Sequence, residues 1–453
     1  MNFLDKMVIP QSLENLILLK YILTLALIIF LPFVGILLIS SFVSVFFNLA
    51  GRKYLKEHYI RFSKEIIDIV AASKSILLVL GVIPAISLIL AYSQLLHASK
   101  IYIEGSLMLA LLLLIVAVFL IINYKYTFNL DQILKYSRGE KVEVSGPPVN
   151  TEVEEKVIRF SEENLKRNKK SGVWGVILLF VSTYIFLSSI QMSYDPSKWS
   201  EKVSIFTIIF SLKGIIKYLY FLLASLALGS GATLFYYFRF RGKDPSDSTY
   251  FEFVKQICVW TGIISVAALP LFVLINLLMT PQSAISISLF TLTAVVLIML
   301  FAAIHLYYII VKKWSNSYSA YLFYILILFF AISVIIDQTS FSYSTKKQEM
   351  VLAANYDLIV AEAKEKAGKG PAISGKDIFD GRCSACHRFD IKLVGPAYKD
   401  VLPKYEGHMD QLIAFISNPV KKNPAFPPMP NQGLKPKEVQ AIADYIMKTY
   451  KQK

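Results

Sequence analysis

Eight long apolar segments limit the fold of this chain more than any other feature of its sequence. Each is at least as long as the ~20 residues that a helix needs to cross the hydrocarbon core of a bilayer. They cover roughly residues 18–48, 69–96, 105–127, 173–194, 214–239, 256–279, 284–311 and 318–337. A soluble protein rarely contains so many uninterrupted apolar runs. The sequence therefore predicts an all-α fold whose larger part is a polytopic bundle of about eight transmembrane helices.

Basic residues predict the orientation of this bundle, because cytoplasmic loops of membrane proteins are enriched in Lys and Arg. The connections after spans one, three, five and seven are basic, and the alternate connections are poor in Lys and Arg. The basic set includes Arg52, Lys53, Lys56, Arg61, Lys64, Lys166, Arg167, Lys169, Lys170, Arg239, Arg241, Lys243, Lys312 and Lys313. We therefore expect a multi-pass protein of the cell (inner) membrane with both termini on the periplasmic, or outer, face. These loops account for much of the net charge of +15, so no nucleic-acid partner is expected.

The N-terminal residues lack the basic start and the small-residue cleavage site of a signal peptide, so the first span is expected to remain in the mature protein. Three regions follow from composition. Residues 1–339 form the membrane part, with a cytoplasmic insert at 129–172. Residues 340–373 predict a helical connector that ends at Gly368 and Gly370, because glycine terminates helices. Residues 374–453 predict a small domain of short helices joined by loops rich in Pro and Gly.

The sequence "CSACH" at 383–387 is the pattern of covalent c-type haem attachment. Two thiols at this spacing can reach the two vinyl groups of one porphyrin edge, and the adjacent histidine can then ligate the iron. Cys383 and Cys386 are thus predicted to form thioethers, and His387 to be the proximal ligand. A thioredoxin-type pair would not need the histidine, and a zinc site would need further Cys or His ligands. Cys258, within a span, is expected to be a small buried apolar residue.

The second axial ligand is predicted to be Met429, in the proline-stiffened loop "NPAFPPMPNQGL". Met409 and Met447 fall in helical patterns, where methionine usually serves packing. His408 is expected to begin a helix or lie on the surface. Ligation by His and Met raises the reduction potential relative to two histidines, so the centre is expected to accept electrons from donors at the quinol level.

Residues 374–453 resemble the monohaem class I cytochrome c family. The resemblance is carried by "SGKDIFDGRCSACH", "LVGPAY", "FPPMPNQGL" and "LKPKEVQAIADYI". It implies one covalent haem c with iron held by His387 and Met429, and a Pro396 carbonyl that orients the proximal histidine. It also implies that Gly375 and Phe379 cross the terminal helix near Tyr445.

Lysines flank the predicted haem region, and two interpretations of them remain open. They can steer an acidic redox partner to the exposed haem edge, or they can be ordinary solubilising surface. These residues are Lys392, Lys399, Lys404, Lys421 and Lys422.

The membrane part, over roughly residues 10–280, resembles subunit I of cytochrome bd quinol oxidase. The resemblance is carried by "IIFLPFVGILLIS", "IEGSLMLALL" and "LFYYFRFRGKD". The haem-ligand histidine positions and one carboxylate position of that family differ here, and the long quinol-binding loop is replaced by "TPQSA". Ile28 and Ile29 occupy one histidine position, Tyr218 or Tyr220 another, and Leu112 one carboxylate position. The bundle is therefore expected to lack haem of its own.

Few histidines could supply such a haem. His97 and His305 are expected at opposite ends of the bundle and cannot share one haem, and His58 lies in a basic loop. A haem held by His97 and Met108 is an alternative to an interfacial role of His97. Glu104 matches a carboxylate of the oxidase family, and it is a candidate quinol or proton site. The alternative is an acid that stabilises a helix N-terminus.

The sequence therefore predicts a membrane-anchored monohaem cytochrome that relays single electrons in a respiratory chain and is not catalytic alone. Its expected partners are other respiratory subunits and a redox partner at the haem edge. The alternative is a quinol-oxidising enzyme, either a quinol:cytochrome c oxidoreductase or a divergent bd-type oxidase, with the haem domain as acceptor. A redox sensor or scaffold is a third possibility, for which the sequence offers no signalling output.

Overall fold

The computed structural model describes residues 9–97, 99, 101, 103–139, 151–196, 199, 204–240, 248–312, 316–366 and 374–452. These residues form helices and contain no strand. The helices are α1 (Leu13–Tyr54), α2 (Glu57–Val70), α3 (Lys74–Leu77), α4 (Ile83–Leu95), α5 (Glu104–Gly139), α6 (Thr151–Ser193), α7 (Ile205–Ile209), α8 (Leu212–Phe240), α9 (Ser248–Leu278), α10 (Ile287–Lys312), α11 (Asn316–Lys366), α12 (Gly375–Ile378), α13 (Tyr398–Val401), α14 (Met409–Ser417) and α15 (Pro436–Gln452).

Eight helical segments of the described chain are long and apolar enough to cross a membrane, which confirms the predicted number of spans. They lie in α1, in α3 and α4 joined by the π-helical turn Leu78–Val82, and in α5, α6, α8, α9, α10 and α11. The all-α fold with a membrane bundle and a small C-terminal helical domain is thus confirmed. Of the predicted cytoplasmic insert, residues 140–150 lie outside the described residues.

Helix α11 differs from the predicted division into a span and a separate connector. It runs without interruption from Asn316 to Lys366, through the predicted boundary near residue 340. The reason is local, since this stretch contains no glycine or proline and its polar half is rich in Ala, Lys, Glu and Gln, which favour helix. The chain separates into two compact units, one up to Ala354 and one from Asn355 onward. The predicted stop residues Gly368 and Gly370 lie outside the described residues.

In the membrane unit, α5 packs along α6, α8 along α9, and α1 contacts α2, α4, α6 and α8. Small residues allow close approach, because a Cβ added to Gly262 in α9 would overlap the hydroxyl of Tyr307 in α10. Cys258 is buried in α9, in agreement with the sequence-based interpretation. At one end of the bundle, Gln348 of α11 donates to the carbonyl of His97 at 2.6 Å, and Lys20 of α1 pairs with Glu349. We call this the connector end.

The C-terminal unit is built on the crossing of α12 with α15. A Cβ on Gly375 would overlap the Ala441 carbonyl and lie 2.6 Å from the Tyr445 Cβ, so the two backbones meet where only glycine fits. Ser374 caps α12 by accepting from the Asp377 N–H at 3.2 Å. The Phe379 ring lies 5.7 Å from the Tyr445 ring, as the cytochrome resemblance implied. The unit's core is formed by Phe379, Tyr398, Leu402, Tyr405, Leu412, Ile416, Val439, Ile442, Ala443, Ile446 and Met447 with Cys383.

Candidate haem site

A tight turn brings the two cysteines and the histidine together. The π-helical turn Phe379–Cys383 follows α12, and the Cys383 carbonyl then accepts from the N–H groups of Cys386 and His387 at 3.1 and 2.9 Å. Both cysteines are free thiols, Cys383 buried and Cys386 half-buried. Burial, reinforced by the neighbouring Cys386, raises the pKa of the Cys383 thiol to about 11.

The loop that follows fixes the orientation of His387. Its Nδ1 lies 3.1 Å from the Pro396 carbonyl oxygen. Since a carbonyl can only accept, Nδ1 carries the proton and Nε2 is left with its lone pair. A Cβ on Gly395 would lie 2.8 Å from Nδ1, so glycine is needed for this approach. The imidazole also lies parallel to the Tyr398 ring, with 5.1 Å between centroids and 4° between planes.

A cavity of about 650 Å³ opens beside this histidine. Its volume falls within the range of about 300–1,000 Å³ typical of cofactor sites. Cys386, His387, Pro396 and Met429 all line it. Much of the remaining wall is apolar and includes Leu402, Tyr405, Leu412, Ile416, Phe426 and Ile446.

The position of Met429 separates it from the other candidate ligands. Met429 is half-buried in the loop after α14, which is tied down by a hydrogen bond of 3.2 Å from Asn431 Nδ2 to the Ser417 carbonyl. Met447 is buried in the domain core, Met409 packs against that core, and His408 is exposed just before α14. Those three side chains do not line the cavity, and Met429 does.

These residues fit a c-type haem. Two thiols lie three positions apart, a neutral imidazole has one nitrogen fixed by a carbonyl, a thioether lines the same cavity, and the wall is mainly apolar. This is the donor set that haem iron takes in His/Met cytochromes.

Three of the five flanking lysines line the cavity, namely Lys404, Lys421 and Lys422. The Lys422 ammonium lies 5.0 Å from the Phe415 ring centroid and 5.7 Å from that of Tyr405. Lys392 lies 4.6 Å from the centroid of Phe426. Contacts of this length are cation–π interactions, so these lysines are held against the aromatic rim of the cavity. Lys399, in α13, is exposed and lies outside the lining.

Together, the fold and the site define a protein with a c-type haem domain attached to a helical membrane bundle. The cytochrome c family model matches residues 372–449. Cytochrome c-551 of Pseudomonas denitrificans is 38% identical over 79 residues, which cover 95% of that protein and 16% of this chain. Cytochrome c-551 of Azotobacter vinelandii is 32% identical over 78 residues, with 95% and 16% covered. Cytochrome c-552 of Hydrogenobacter thermophilus is 36% identical over 69 residues, with 69% and 14% covered.

The chain belongs to the cytochrome c family through this C-terminal domain. Its cofactor is one covalently attached haem c, and its chemistry is electron transfer.

In the bundle, the two tyrosines that the sequence resemblance predicted at a haem-ligand position are hydrogen-bonded to neighbouring helices. Tyr218 donates to the Phe180 carbonyl at 2.9 Å and lies 3.0 Å from the Thr183 hydroxyl. Tyr220 lies 2.7 Å from the Ser333 hydroxyl. Ile28 is half-buried in α1, and Ile29 is exposed there. The two phenols therefore join neighbouring helices.

The histidines of the bundle are scattered. His58 stacks on Tyr250 at 5.7 Å near the start of α2, and His305 is exposed on α10. His97 is half-buried after α4, and Met108 is 45% exposed on α5. Within the described residues, no group of three or more His, Cys, Asp or Glu side chains could hold a metal ion. Glu104 is the first residue of α5 and is half-buried.

Sequence reasoning missed a charged pair inside the bundle. Lys217 Nζ of α8 donates to Asp337 Oδ1 of α11 at 2.6 Å, and both side chains are mostly buried. The available signal was an aspartate at the end of the last apolar run, in "ISVIIDQTS". The sequence could not show that Lys217, 120 positions earlier, is its partner.

Proposed function

We propose that this protein is an electron-transfer subunit of a respiratory membrane complex. In this proposal Cys383 and Cys386 form the thioethers of haem c, and His387 and Met429 are the axial ligands. The observation that carries the assignment is the convergence of Cys386, His387 and Met429 on one cavity of about 650 Å³.

The residues of the chain would do three things for the cofactor, which when bound supplies a one-electron Fe(III)/Fe(II) couple. The Pro396 carbonyl accepts the Nδ1 proton and so aims His387 Nε2 into the cavity as a lone-pair donor. The thioether of Met429 favours the reduced state more than a second imidazole would. The apolar wall excludes water. It therefore disfavours the oxidised state, in which the iron site carries one more positive charge.

We further propose that the haem domain lies on the periplasmic face of the inner membrane, with the bundle as a haem-free relative of bd oxidase subunit I that binds other subunits. The charge pattern of the loops supports this orientation. The bundle proposal is supported by the hydrogen bonds that occupy Tyr218 and Tyr220 at the family's haem position.

The test is spectroscopic and uses the purified full chain. A pyridine haemochrome assay should give one haem c per chain and no b- or d-type haem. A b- or d-type band in stoichiometric amount would overturn the assignment of the bundle as haem-free.

The axial ligand is tested separately by Met429→Leu, with Met409→Leu as the matched control. Met429→Leu should abolish the sulfur-to-iron charge-transfer band and lower the reduction potential, because the thioether is lost. Met409→Leu should leave both unchanged, since Met409 packs on the core outside the cavity lining. A retained band in Met429→Leu would show that another residue ligates the iron.

A second candidate function is quinol oxidation by the bundle, with haem c as acceptor. The buried Lys217–Asp337 pair favours it, because ionisable residues within spans often mark functional sites. Oxidation of a quinol analogue by the isolated chain, with reduction of its haem c, would establish this function. An isolated chain that reduces no haem with quinol would leave only the subunit role.

A further inference from the structure

The connector end of the bundle contains a file of polar side chains between α8 and α11. Lys213 donates to Asp195 at 3.0 Å near the start of α8. One turn further on, Lys217 pairs with Asp337, and after another turn Tyr220 lies 2.7 Å from Ser333. The file therefore extends roughly 10 Å along α8, at ~1.5 Å per residue.

Two small cavities meet at the central pair of this file. One has a volume of about 60 Å³ and is lined by Lys213, Lys217, Asp337 and Tyr220 together with polar residues of α9 and α10. The other has a volume of about 20 Å³ and reaches α1 at Leu27 and Leu31. Lys217, Asp337, Gln191 and Tyr194 line both cavities.

Both cavities are large enough and polar enough to hold water. A water molecule needs about 10–15 Å³ of such space and two to four polar partners. The smaller cavity offers Lys217, Asp337, Gln191 and Tyr194. The larger cavity adds the side chains of Asn276, Thr280, Thr293 and Ser340. The space is too small for the ring of a quinone in this conformation, so the ligand class that fits is water and the proton it carries.

A purely structural role explains the pair poorly. A buried ion pair pays a desolvation cost that its attraction often fails to recover, and an apolar pair of similar volume is frequently as stable. The Lys213–Asp195 pair lies at the start of α8, whereas Lys20–Glu349 lies within α1 and α11 and is buried to a similar degree. What distinguishes the Lys217–Asp337 pair is that both of its side chains line the two water-sized cavities.

We propose that Lys217 and Asp337 form a proton-exchange site, in which water in the two cavities carries protons to and from the Asp337 carboxylate. Lys217 holds Asp337 ionised at rest and its ammonium moves aside when the carboxylate takes a proton. The site lies at the connector end whichever way the bundle is oriented, and it does not depend on the haem assignment.

The charged and titratable groups around Asp337 come from four helices. Tyr92 of α4 is linked to this region by a hydrogen bond from Gln338. The other groups are Tyr194 and Asp195, which follow α6, then Lys213, Lys217 and Tyr220 of α8, and Asp337 itself in α11. Helices α1, α9 and α10 contribute only uncharged residues to the two cavities. Lys217 is therefore the charged group that contacts the Asp337 carboxylate directly.

The first test detects water in the wild-type chain by hydroxyl-radical footprinting in nanodiscs. Tyr220 and Tyr307 make a matched pair, because both are buried in the bundle and each is hydrogen-bonded to a serine. Tyr220 lines the larger cavity and Tyr307 does not. Tyr220 should be oxidised and Tyr307 protected. Equal protection of the two would overturn the proposal, because the cavities would then be dry.

The second test uses dicyclohexylcarbodiimide. A protonated carboxyl in an apolar environment adds to the C=N bond of this reagent, and the product rearranges to a stable N-acylurea. In the full chain, the labelled fraction of Asp337, measured by mass spectrometry, should be greater at lower pH, because the reagent reacts with the protonated carboxyl. Lys217→Met should increase labelling at the upper pH by roughly tenfold or more, because the carboxylate then loses the cation that stabilises its charged form.

Two controls make a negative result informative. Leu112→Glu places a carboxyl at an exposed position in the middle of α5 and must be labelled, which shows that the reagent reaches the bilayer. Glu362→Gln removes an exposed carboxylate of α11 and must leave the Asp337 profile unchanged. If Leu112→Glu is labelled but Asp337 is labelled in neither the wild type nor Lys217→Met, the pair is a fixed ion pair and the proposal is wrong.

Discussion

The haem domain and the membrane bundle differ in how their sequences determine their chemistry. In the haem domain, five consecutive residues and one methionine are predicted to carry the chemistry, and one cavity collects Cys386, His387 and Met429. In the bundle, the main sequence signals are apolar length and loop charge, and the polar contacts described here join positions far apart in sequence. Lys217 and Asp337 are separated by 120 positions, and Tyr220 and Ser333 by 113. The residues of a covalent haem-attachment motif are close together in sequence, whereas the partners in hydrogen bonds and ion pairs between helices are not.

The largest expected effect is on cofactor attachment. The variant with Cys383→Ser and Cys386→Ser should contain no covalently bound haem, because both thioether positions are lost. Cys258→Ala should retain the full haem content, since Cys258 is buried in α9 of the membrane unit and is not part of the CSACH sequence. Haem-stained denaturing gels measure this directly. Covalent haem in the double serine variant would contradict the assignment of the attachment site.

The next effect concerns the backbone crossing in the haem domain. Gly375→Ala should destabilise the domain by about 3 kcal/mol, because the new Cβ overlaps a backbone carbonyl that cannot rotate away. Gly381→Ala is the matched control, since a Cβ there meets nothing within 4 Å. It should be neutral or stabilising by up to ~1 kcal/mol. Urea unfolding followed by haem absorbance compares the two, and equal stability would mean that α12 and α15 do not meet at Gly375.

A smaller effect is expected for the equivalent change in the bundle. Gly262→Ala places a Cβ against the end of the Tyr307 side chain, which can move, so we expect a loss of about 1–2 kcal/mol. Gly105→Ala, where a Cβ meets nothing within 4 Å, is the control. Thermal unfolding of the detergent-solubilised chain is the measurement. A loss of stability larger than that of Gly375→Ala would contradict the expectation that a Cβ is tolerated better beside a movable side chain than beside a fixed backbone carbonyl.

The smallest effect is electrostatic. Lys422→Gln removes a cation from the lining of the haem cavity, where it stabilises the less positive, reduced state. The reduction potential should fall by roughly 20–40 mV, the Coulomb energy of one charge at about 10 Å in a high dielectric. Lys451→Gln, on an exposed residue at the end of α15, should leave it unchanged. The difference should shrink in high salt, and an unchanged potential at low salt would assign Lys422 to the solvated surface.

The sequence predicted the number of spans because a bilayer requires a minimum apolar length, but it did not predict where the helices end. Helix α11 continues to Lys366 because helix propensity extends past the apolar residues that mark the span. The crossing at Gly375 followed from a family resemblance, and the structure confirmed it. The cavity lining then separated Met429 from Met409, Met447 and His408, which composition could only rank. The role of Asp337 was missed because a buried ion pair can be recognised only when both partners are known, and Lys217 lies 120 positions away in sequence.

The unbroken course of α11 has a consequence for proteolysis. Trypsin requires an extended backbone around the scissile bond, and Lys346 and Lys347 lie inside a helix whose carbonyls and N–H groups are already paired. These two sites must therefore resist digestion as long as the helix is intact. Cleavage at Lys346 or Lys347 would report that the helix has opened, which makes the pair a built-in indicator of the folded state of this segment.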